Sequence, residues 1–240
     1  MTAANAIRTT MLKDYDKIIL IVVAVASLML GFYNTWAIQN PPDSSDLVSK
    51  GNQYFALGEY RKAINFYEKA LKLHGSYGNA LKYKGLALFN LGLNNDSMSV
   101  KINSDSPYDS PYVYATNLIE YYNSSHMQPD ATRKAYFESS YQYLKDASYN
   151  NPADLESLLF GAIAGLYLSP SPSYDPIKDF DRTLRAVEDM PYMQKSLQVR
   201  MIKSGAWLGK GVAYRMMGDT EEAEKCFKIA TTLSQKQATG

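Results

Sequence analysis

Cysteine and histidine are scarce in this chain of 240 residues. Cys226 is the only cysteine, which excludes an intrachain disulfide and a cysteine-based metal site. His74 and His126 have no second ligand at helical spacing, and no H-E-x-x-H, G-x-S-x-G or phosphate-loop motif occurs. The methionines of the C-terminal half are interpreted as flexible core packing rather than as soft-metal ligands. The sequence therefore predicts a protein that is not an enzyme and that holds no metal and no cofactor.

The chain also lacks an excess of charge of either sign, because 25 Lys and Arg residues are balanced by 24 Asp and Glu residues. A nucleic-acid-binding surface needs a basic stripe that releases counterions from the phosphates. The chain has no Lys/Arg-rich run with interleaved aromatic residues. We therefore expect no nucleic-acid partner, and no motif indicates a small-molecule substrate.

One long hydrophobic run is present near the N-terminus. Residues 18–38, IILIVVAVASLMLGFYNTWAI, contain no ionisable group except the Tyr33 phenol. As a helix they would span about 31 Å, the thickness of a bilayer core, with Tyr33 and Trp36 near the headgroups. We predict a transmembrane helix that contacts membrane lipid. A cleavable signal peptide and a buried core helix are the alternatives.

The charges around this run predict its orientation. Arg8, Lys13 and Lys17 precede the run, and no Lys or Arg follows it until Lys50. The positive-inside rule then makes residues 1–17 a cytoplasmic N-terminal segment of a single-pass protein of the cell membrane. Residues 39–46 form a linker, and residues 47–237 form an extracytoplasmic domain.

Small residues recur in this domain with a period of 34 residues. Gly51 and Gly85 are separated by this period, and so are Gly58 and Gly92. A third copy repeats the offsets of Gly51, Gly58, Ala63 and Ala70 at Gly211, Gly218, Ala223 and Ala230. Apolar residues also recur at helical intervals, so each helical pair has a face that only a neighbouring pair can cover.

These residues resemble the tetratricopeptide repeat family, in which a small residue lets the second helix approach the first and a glycine ends the first helix. The resemblance implies an all-α solenoid of helical hairpins, preceded here by the transmembrane helix. Clear repeats are predicted at 44–77, 78–92 and 204–237, and a degenerate stretch at 93–203.

The degenerate stretch predicts further hairpins with irregular connections. Residues 94–111 are rich in Ser, Asn and Asp, and we interpret them as a loop that replaces the second helix of the repeat beginning at 78. Residues 111–125 and 130–152 predict one hairpin, whose second helix has Ala147 and Pro152 at the family's spacing. Residues 154–168 and 176–191 predict another hairpin.

The resemblance also implies a partner-binding groove lined by the first helices of successive repeats. The residues at its positions are Asn52, Phe55, Lys82, Leu86, Phe89, Asn90 and Arg215. Core packing is the alternative for Phe55, Leu86 and Phe89. The family's lysine clamp for a terminal carboxylate is not expected, because Val48 stands at one of its positions.

Tyrosine is abundant, with 20 residues in the chain. Its ring and hydroxyl suit an interface, so Tyr108, Tyr112 and Tyr114 are predicted to belong to a docking face. Ordinary core and boundary packing is the alternative.

Together these patterns predict a protein–protein interaction scaffold, acting as an accessory subunit of a membrane complex such as an oxidase or monooxygenase. Its partners would be other membrane protein subunits. The irregular middle repeats favour one permanent partner. The alternatives are a membrane-anchored assembly or quality-control factor, which would need an open groove for transient clients, and an enzyme with a site within 94–130.

Overall fold

The computed structural model describes residues 18–29, 43–93, 111–125, 129–169, 171, 173–190 and 196–235. The chain divides into two units, Met1–Asp43 and Ser44–Gly240. In the first unit, helix α1 comprises residues 18–29, and its large apolar side chains are exposed. Among the described residues, no helix is both long enough and apolar enough to cross a membrane. Residues 30–38 of the predicted span lie outside the described residues.

The described part of the second unit consists of helices joined by turns. The helices are α2 (Ser44–Ala56), α3 (Tyr60–Leu73), α4 (Gly78–Leu93), α5 (Pro111–Ser125), α6 (Ala131–Asn150), α7 (Leu155–Leu168), α8 (Pro176–Glu188), α9 (Leu197–Met216) and α10 (Thr220–Gln235). Local chemistry sets several boundaries. Side chains of Asp130, Asp154, Asp175 and Ser196 cap α6 to α9 by accepting a backbone N–H three residues on. Gly58 and Gly218 follow α2 and α9 with φ of 75° and 83°, where other residues would be strained.

Eight of these helices form four stacked pairs within the described residues. The pairs are α2 with α3, α4 with α6, α7 with α8, and α9 with α10. The second helix of each pair packs against the first helix of the next pair, which makes one continuous apolar core. The predicted all-α, repeat-like fold is confirmed.

A glycine on the first helix positions the second helix in three of the pairs. Gly51 and Gly211 pack against the rings of Tyr67 and Phe227, each 16 residues further along the chain, and an added Cβ would collide with either ring. Gly85 packs in the same way against Leu144, which is 59 residues further along. An added Cβ there would lie 2.7 Å from Leu144 Cγ and 3.2 Å from its backbone nitrogen. Helix α6 is therefore the second helix of the second repeat, and α5 lies within an insertion.

This pairing corrects two expectations from the sequence. The hairpin predicted between residues 111–125 and 130–152 is wrong, because α5 packs mainly against α9 and α7. The second helix of the repeat beginning at 78 is also not replaced by a loop, since α6 supplies it. Ser140 Oγ donates to the Gly85 carbonyl oxygen at 2.8 Å, and Arg133 Nε donates to the Gly92 carbonyl oxygen at 2.7 Å. Residues 94–110 lie outside the described residues.

The lysine before the repeat glycine joins adjacent repeats. Lys84 Nζ donates to Glu68 Oε1 of α3 at 2.9 Å and to the Tyr143 hydroxyl of α6 at 2.8 Å. At the same repeat position, Lys210 Nζ donates to Asp181 Oδ1 of α8 at 2.6 Å. Burial lowers the pKa of Lys84, but these hydrogen bonds raise it by more, so the ammonium stays charged. Lys50, the equivalent residue of the first repeat, is exposed.

Polar residues cover the outer face of the first repeat. Asp46, Ser49 and Gln53 are exposed on α2. The equivalent residues are Ala80, Tyr83 and Ala87 on α4, and Ala206, Gly209 and Ala213 on α9, all of them buried or half-buried against the preceding pair. The outer face of α2 therefore offers no apolar surface on which another repeat could stack.

The outer face of α10 is polar in the same way. Ile64 and Leu71 of α3 are partly buried in the core, whereas their equivalents Glu224 and Thr231 of α10 are exposed. Lys228 occupies the position of Glu68, which is the residue that pairs with the lysine of the next repeat. A second copy stacked end to end would thus bring Lys50 towards Lys228, and like charges repel.

We predict that Gly85→Ala lowers the free energy of unfolding by about 1–3 kcal/mol, because the new methyl group forces α6 away from α4. Gly78→Ala is the matched control, since no atom lies within 4 Å of a Cβ added there. Urea unfolding of the purified chain, followed by circular dichroism, measures both. If α4 lacked this partner helix, Gly85→Ala would instead stabilise by up to about 1 kcal/mol through helix propensity.

We expect Lys84→Met to lower the free energy of unfolding by about 1–2 kcal/mol. The Lys84 side chain is 9% exposed while Glu68 is 46% exposed, so the carboxylate left behind is partly hydrated and the loss is moderate. Lys50→Met removes the same charge from an exposed site and should change stability by less than about 0.5 kcal/mol. Equal effects of the two variants in urea unfolding would contradict the inter-repeat role.

Candidate protein-binding face

The first helices of the four pairs are α2, α4, α7 and α9, and the surface that they share is called here the first-helix face. The repeat register identifies its equivalent positions. Asn79, Leu86 and Asn90 of α4 correspond to Gly205, Val212 and Met216 of α9. Asn52 of α2 corresponds to Leu86 and Val212, whereas Phe55 of α2 corresponds to Phe89 and Arg215. The predicted groove residues can therefore be located helix by helix.

Most of the predicted groove residues on α2 and α4 are buried. The exposed fractions are 2% for Phe55, 0% for Leu86 and Phe89, and 4% for Asn90. The Phe89 ring packs edge to face against Phe137, Phe160 and Tyr167, with centroid distances of 5.3, 5.9 and 5.9 Å. The three apolar residues therefore have the core packing that was the alternative to partner binding. Partner binding at these four positions stays a prediction.

Asn52 and Lys82 are half-buried and already have partners within the chain. Asn52 Oδ1 accepts a hydrogen bond of 2.8 Å from the Tyr67 hydroxyl. Lys82 forms ion pairs with Glu156 and with Asp154, whose Oδ1 lies 3.4 Å from Nζ. Burial lowers the pKa of Lys82, but the two carboxylates raise it by more, so its pKa is above the usual value. A carboxylate ligand would have to compete with these two acidic groups.

Helix α5 covers the first-helix face on α7 and α9. Its residues Ala115, Leu118, Ile119 and Tyr122 follow the spacing of one helical stripe and are at most 5% exposed. The Tyr122 ring lies 4.9 Å from that of Tyr167, and its hydroxyl donates to Met216 Sδ at 3.4 Å.

The N-terminal part of α5 also lies against α9. Thr116 Oγ1 would be 3.4 Å from a Cβ added at Gly205. Met216 is equivalent to Asn90 of α4, which is a predicted groove residue, and Gly205 is equivalent to Asn79 near the start of α4. Helix α5 therefore extends along α9 over a surface that includes one predicted groove position. In the C-terminal half, a helix of this chain therefore lies on the face that the resemblance to the repeat family predicts as a groove.

Arg215 is exposed on α9, and its guanidinium lies 5.2 Å from the centroid of the Phe227 ring. Tyr112 and Tyr114 belong to α5, but their side chains lie outside the described residues, as does the whole of Tyr108. A docking face at these three tyrosines stays a prediction.

A cleft of about 600 Å³ lies beside Met216, which contacts α5. The connection between α7 and α8 lines one side, and the end of α9 lines the other. Its lining is Ser169, Ser171, Tyr174, Asp175, Pro176, Ile177, Ala213, Met216 and Met217. Met217 is 74% exposed. The sequence predicts core packing for these methionines, but Met217 at the end of α9 is exposed. The Met216-Met217 pair just before Gly218 is the sequence signal for this exposed apolar end.

The chemistry of the site is that of helix and side-chain packing. Among the described residues, no group of three or more His, Cys, Asp or Glu side chains is placed to hold a metal ion. The Cys226 thiol is buried, which raises its pKa and keeps it protonated. The face can hold an apolar helical ridge, as it does with α5.

Comparisons with known proteins agree with the repeats. A family model described as tetratricopeptide repeat matches residues 47–77, and another of the same description matches residues 204–237. No curated protein matches the chain. Among solved structures, the crystal structure of MamA protein is 20% identical to this chain. The match covers 82% of this chain and 94% of that chain, with a TM-score of 0.32. The chain therefore contains two tetratricopeptide repeats, one near each end of the described helical array.

Proposed function

We propose that this chain is a non-catalytic accessory subunit of a multi-subunit membrane protein complex, and that its repeat domain binds other membrane subunits on the extracytoplasmic side. Tetratricopeptide repeats are generally scaffolds for protein–protein interaction. The observation that carries the proposal of an accessory subunit is the position of α5, which covers the first-helix face on α7 and α9.

A covered face favours a dedicated partner over many transient clients. An assembly or quality-control factor would need an open groove that accepts different peptides. Here Leu86, Phe89 and Asn90 of α4 are buried, and α5 covers the face on α9. The Lys82 ammonium already forms ion pairs with two carboxylates. These features support a surface that is matched to one partner.

The end faces support the same proposal. Polar residues on α2 and α10, including Lys228 at the position of Glu68, disfavour growth by stacking of further copies. The partner contacts would then lie along the sides of the array. The cleft beside Met216, with the exposed side chain of Met217, is an apolar surface of suitable size for a partner side chain.

Helix α1 supports the membrane part of the proposal. Its large apolar side chains are between 49% and 73% exposed, and residues 18–29 include no charged group. Such a surface requires an apolar environment. Lipid around residues 18–38, with Arg8, Lys13 and Lys17 on the cytoplasmic side, would supply it and would leave the repeat domain outside.

We predict stoichiometric recovery of other membrane subunits when the full-length tagged chain is purified from its native membranes in mild detergent. A dedicated subunit remains bound because one permanent interface holds it, and quantitative mass spectrometry measures the molar ratios. Recovery of the chain alone, or with many substoichiometric proteins, would instead support the transient factor. Untagged membranes treated in the same way are the control.

We predict that Val22→Arg combined with Val25→Arg releases the chain from the membrane pellet, since each arginine in a bilayer centre costs about 2.5–3.5 kcal/mol. The control adds the same charge on the exposed face of α2, as Ser49→Arg with Gln53→Arg. Alkaline extraction and blotting of both fractions measure the outcome. Equal membrane retention of the two double variants would refute the anchor.

A further inference from the structure

We propose that α5 is an exchangeable occupant of the first-helix face, and that the partner binds there by replacing it with an amphipathic helix of the same apolar pattern. The proposal rests on the proposed function only for the existence of a partner. In the free chain, α5 covers the face, and in the complex the partner's helix takes its place.

The pairing of α4 with α6 does not depend on α5. Helices α4 and α6 contact each other directly through Gly85 and Leu144, and Ser140 donates to the Gly85 carbonyl oxygen. Gly92 packs against the Phe137 ring, at 2.9 Å from an added Cβ. The second repeat is therefore closed without the helix that its insertion carries.

Helix α5 lies on the part of α9 that includes a predicted groove position. Its two ends lie against Gly205 and Met216 of α9, which the repeat register equates with Asn79 and Asn90 of α4. Tyr167 of α7 completes the contact through its ring. Helix α5 thus lies across two successive first helices, where the resemblance to the family places a bound segment.

The surface beneath α5 cannot remain uncovered. Tyr167, whose ring contacts Tyr122, is 2% exposed, and Gly205, beside Thr116, adds no side chain to shield the backbone. Removal of α5 would open an apolar patch, which promotes aggregation unless another apolar surface covers it. Exchange for a partner helix satisfies this requirement, whereas simple opening does not.

The contacts of α5 define the chemistry of the partner helix. A small residue at the position of Ala115 and apolar residues at those of Leu118 and Ile119 form the buried stripe. A tyrosine or a similar ring at the position of Tyr122 reaches Tyr167 and Met216. Asn117 and Glu120 are exposed, so the outer side of the partner helix is unrestricted.

The test uses a labelled synthetic peptide of residues 111–125 as the probe, added to the full-length chain in detergent. In the wild type the tethered α5 competes at an effective concentration of roughly millimolar, so the peptide binds weakly. Leu118→Ala weakens the tethered helix, and we expect it to increase peptide affinity at least tenfold. Asn117→Ala, on the exposed side of α5, should leave the affinity unchanged.

A disulfide between the helices provides the decisive second variant. Thr116→Cys with Gly205→Cys joins α5 to α9, where the side chains are close enough for the bond. Cys226 is buried and does not compete. The oxidised variant should lose peptide binding, and reduction should restore it.

Two results would overturn the proposal. Equal binding to the oxidised and reduced double variant would place the peptide elsewhere on the chain. Failure of the peptide to bind both the Leu118→Ala variant and the reduced double variant would make α5 a permanent part of the core. Neither result depends on the native partner, so co-purification of membrane subunits would still test the proposed function separately.

Discussion

The absence of a Cβ at one position of the first helix is the constraint on which the array depends. At Gly51, Gly85 and Gly211 the second helix approaches so closely that a side chain of that helix fills the space a methyl group would occupy. This contact sets the distance between the paired helices. It also determines which face of each pair remains available to pack against the next pair. These contacts between successive pairs form the continuous core.

The same contact explains how the second repeat tolerates a long insertion. The space beside Gly85 is filled by the Leu144 side chain, although the two residues are 59 positions apart in the chain. Loop closure costs free energy only slowly as length increases. The chain between α4 and α6 can therefore carry α5 to α9 without disturbing the pair. A repeat that is irregular in sequence is thus regular in space.

Electrostatic interactions then distinguish the interior of the array from its ends. Lys84 and Lys210 bind carboxylates of the preceding pair, in partly buried surroundings where the interaction is strong. Lys50 has the same place in the first repeat but is exposed, and Lys228 replaces the carboxylate in the last pair. Four pairs can stack through these contacts, while the two outer faces present polar side chains to the solvent.

The sequence by itself determined the helical repeats, because the 34-residue spacing of Gly51, Gly85 and their equivalents reflects local helical geometry and close packing. It also marked α6 as a second helix through Ala147 and Pro152. It did not determine which first helix α6 joins, since consecutive helices are usually neighbours and that rule favoured α5. Only the tertiary structure decided that Phe55, Leu86, Phe89 and Asn90 are buried and that α5 lies across α7 and α9. Burial and the choice between competing helices depend on contacts between residues far apart in the chain, and a local pattern contains no information about them.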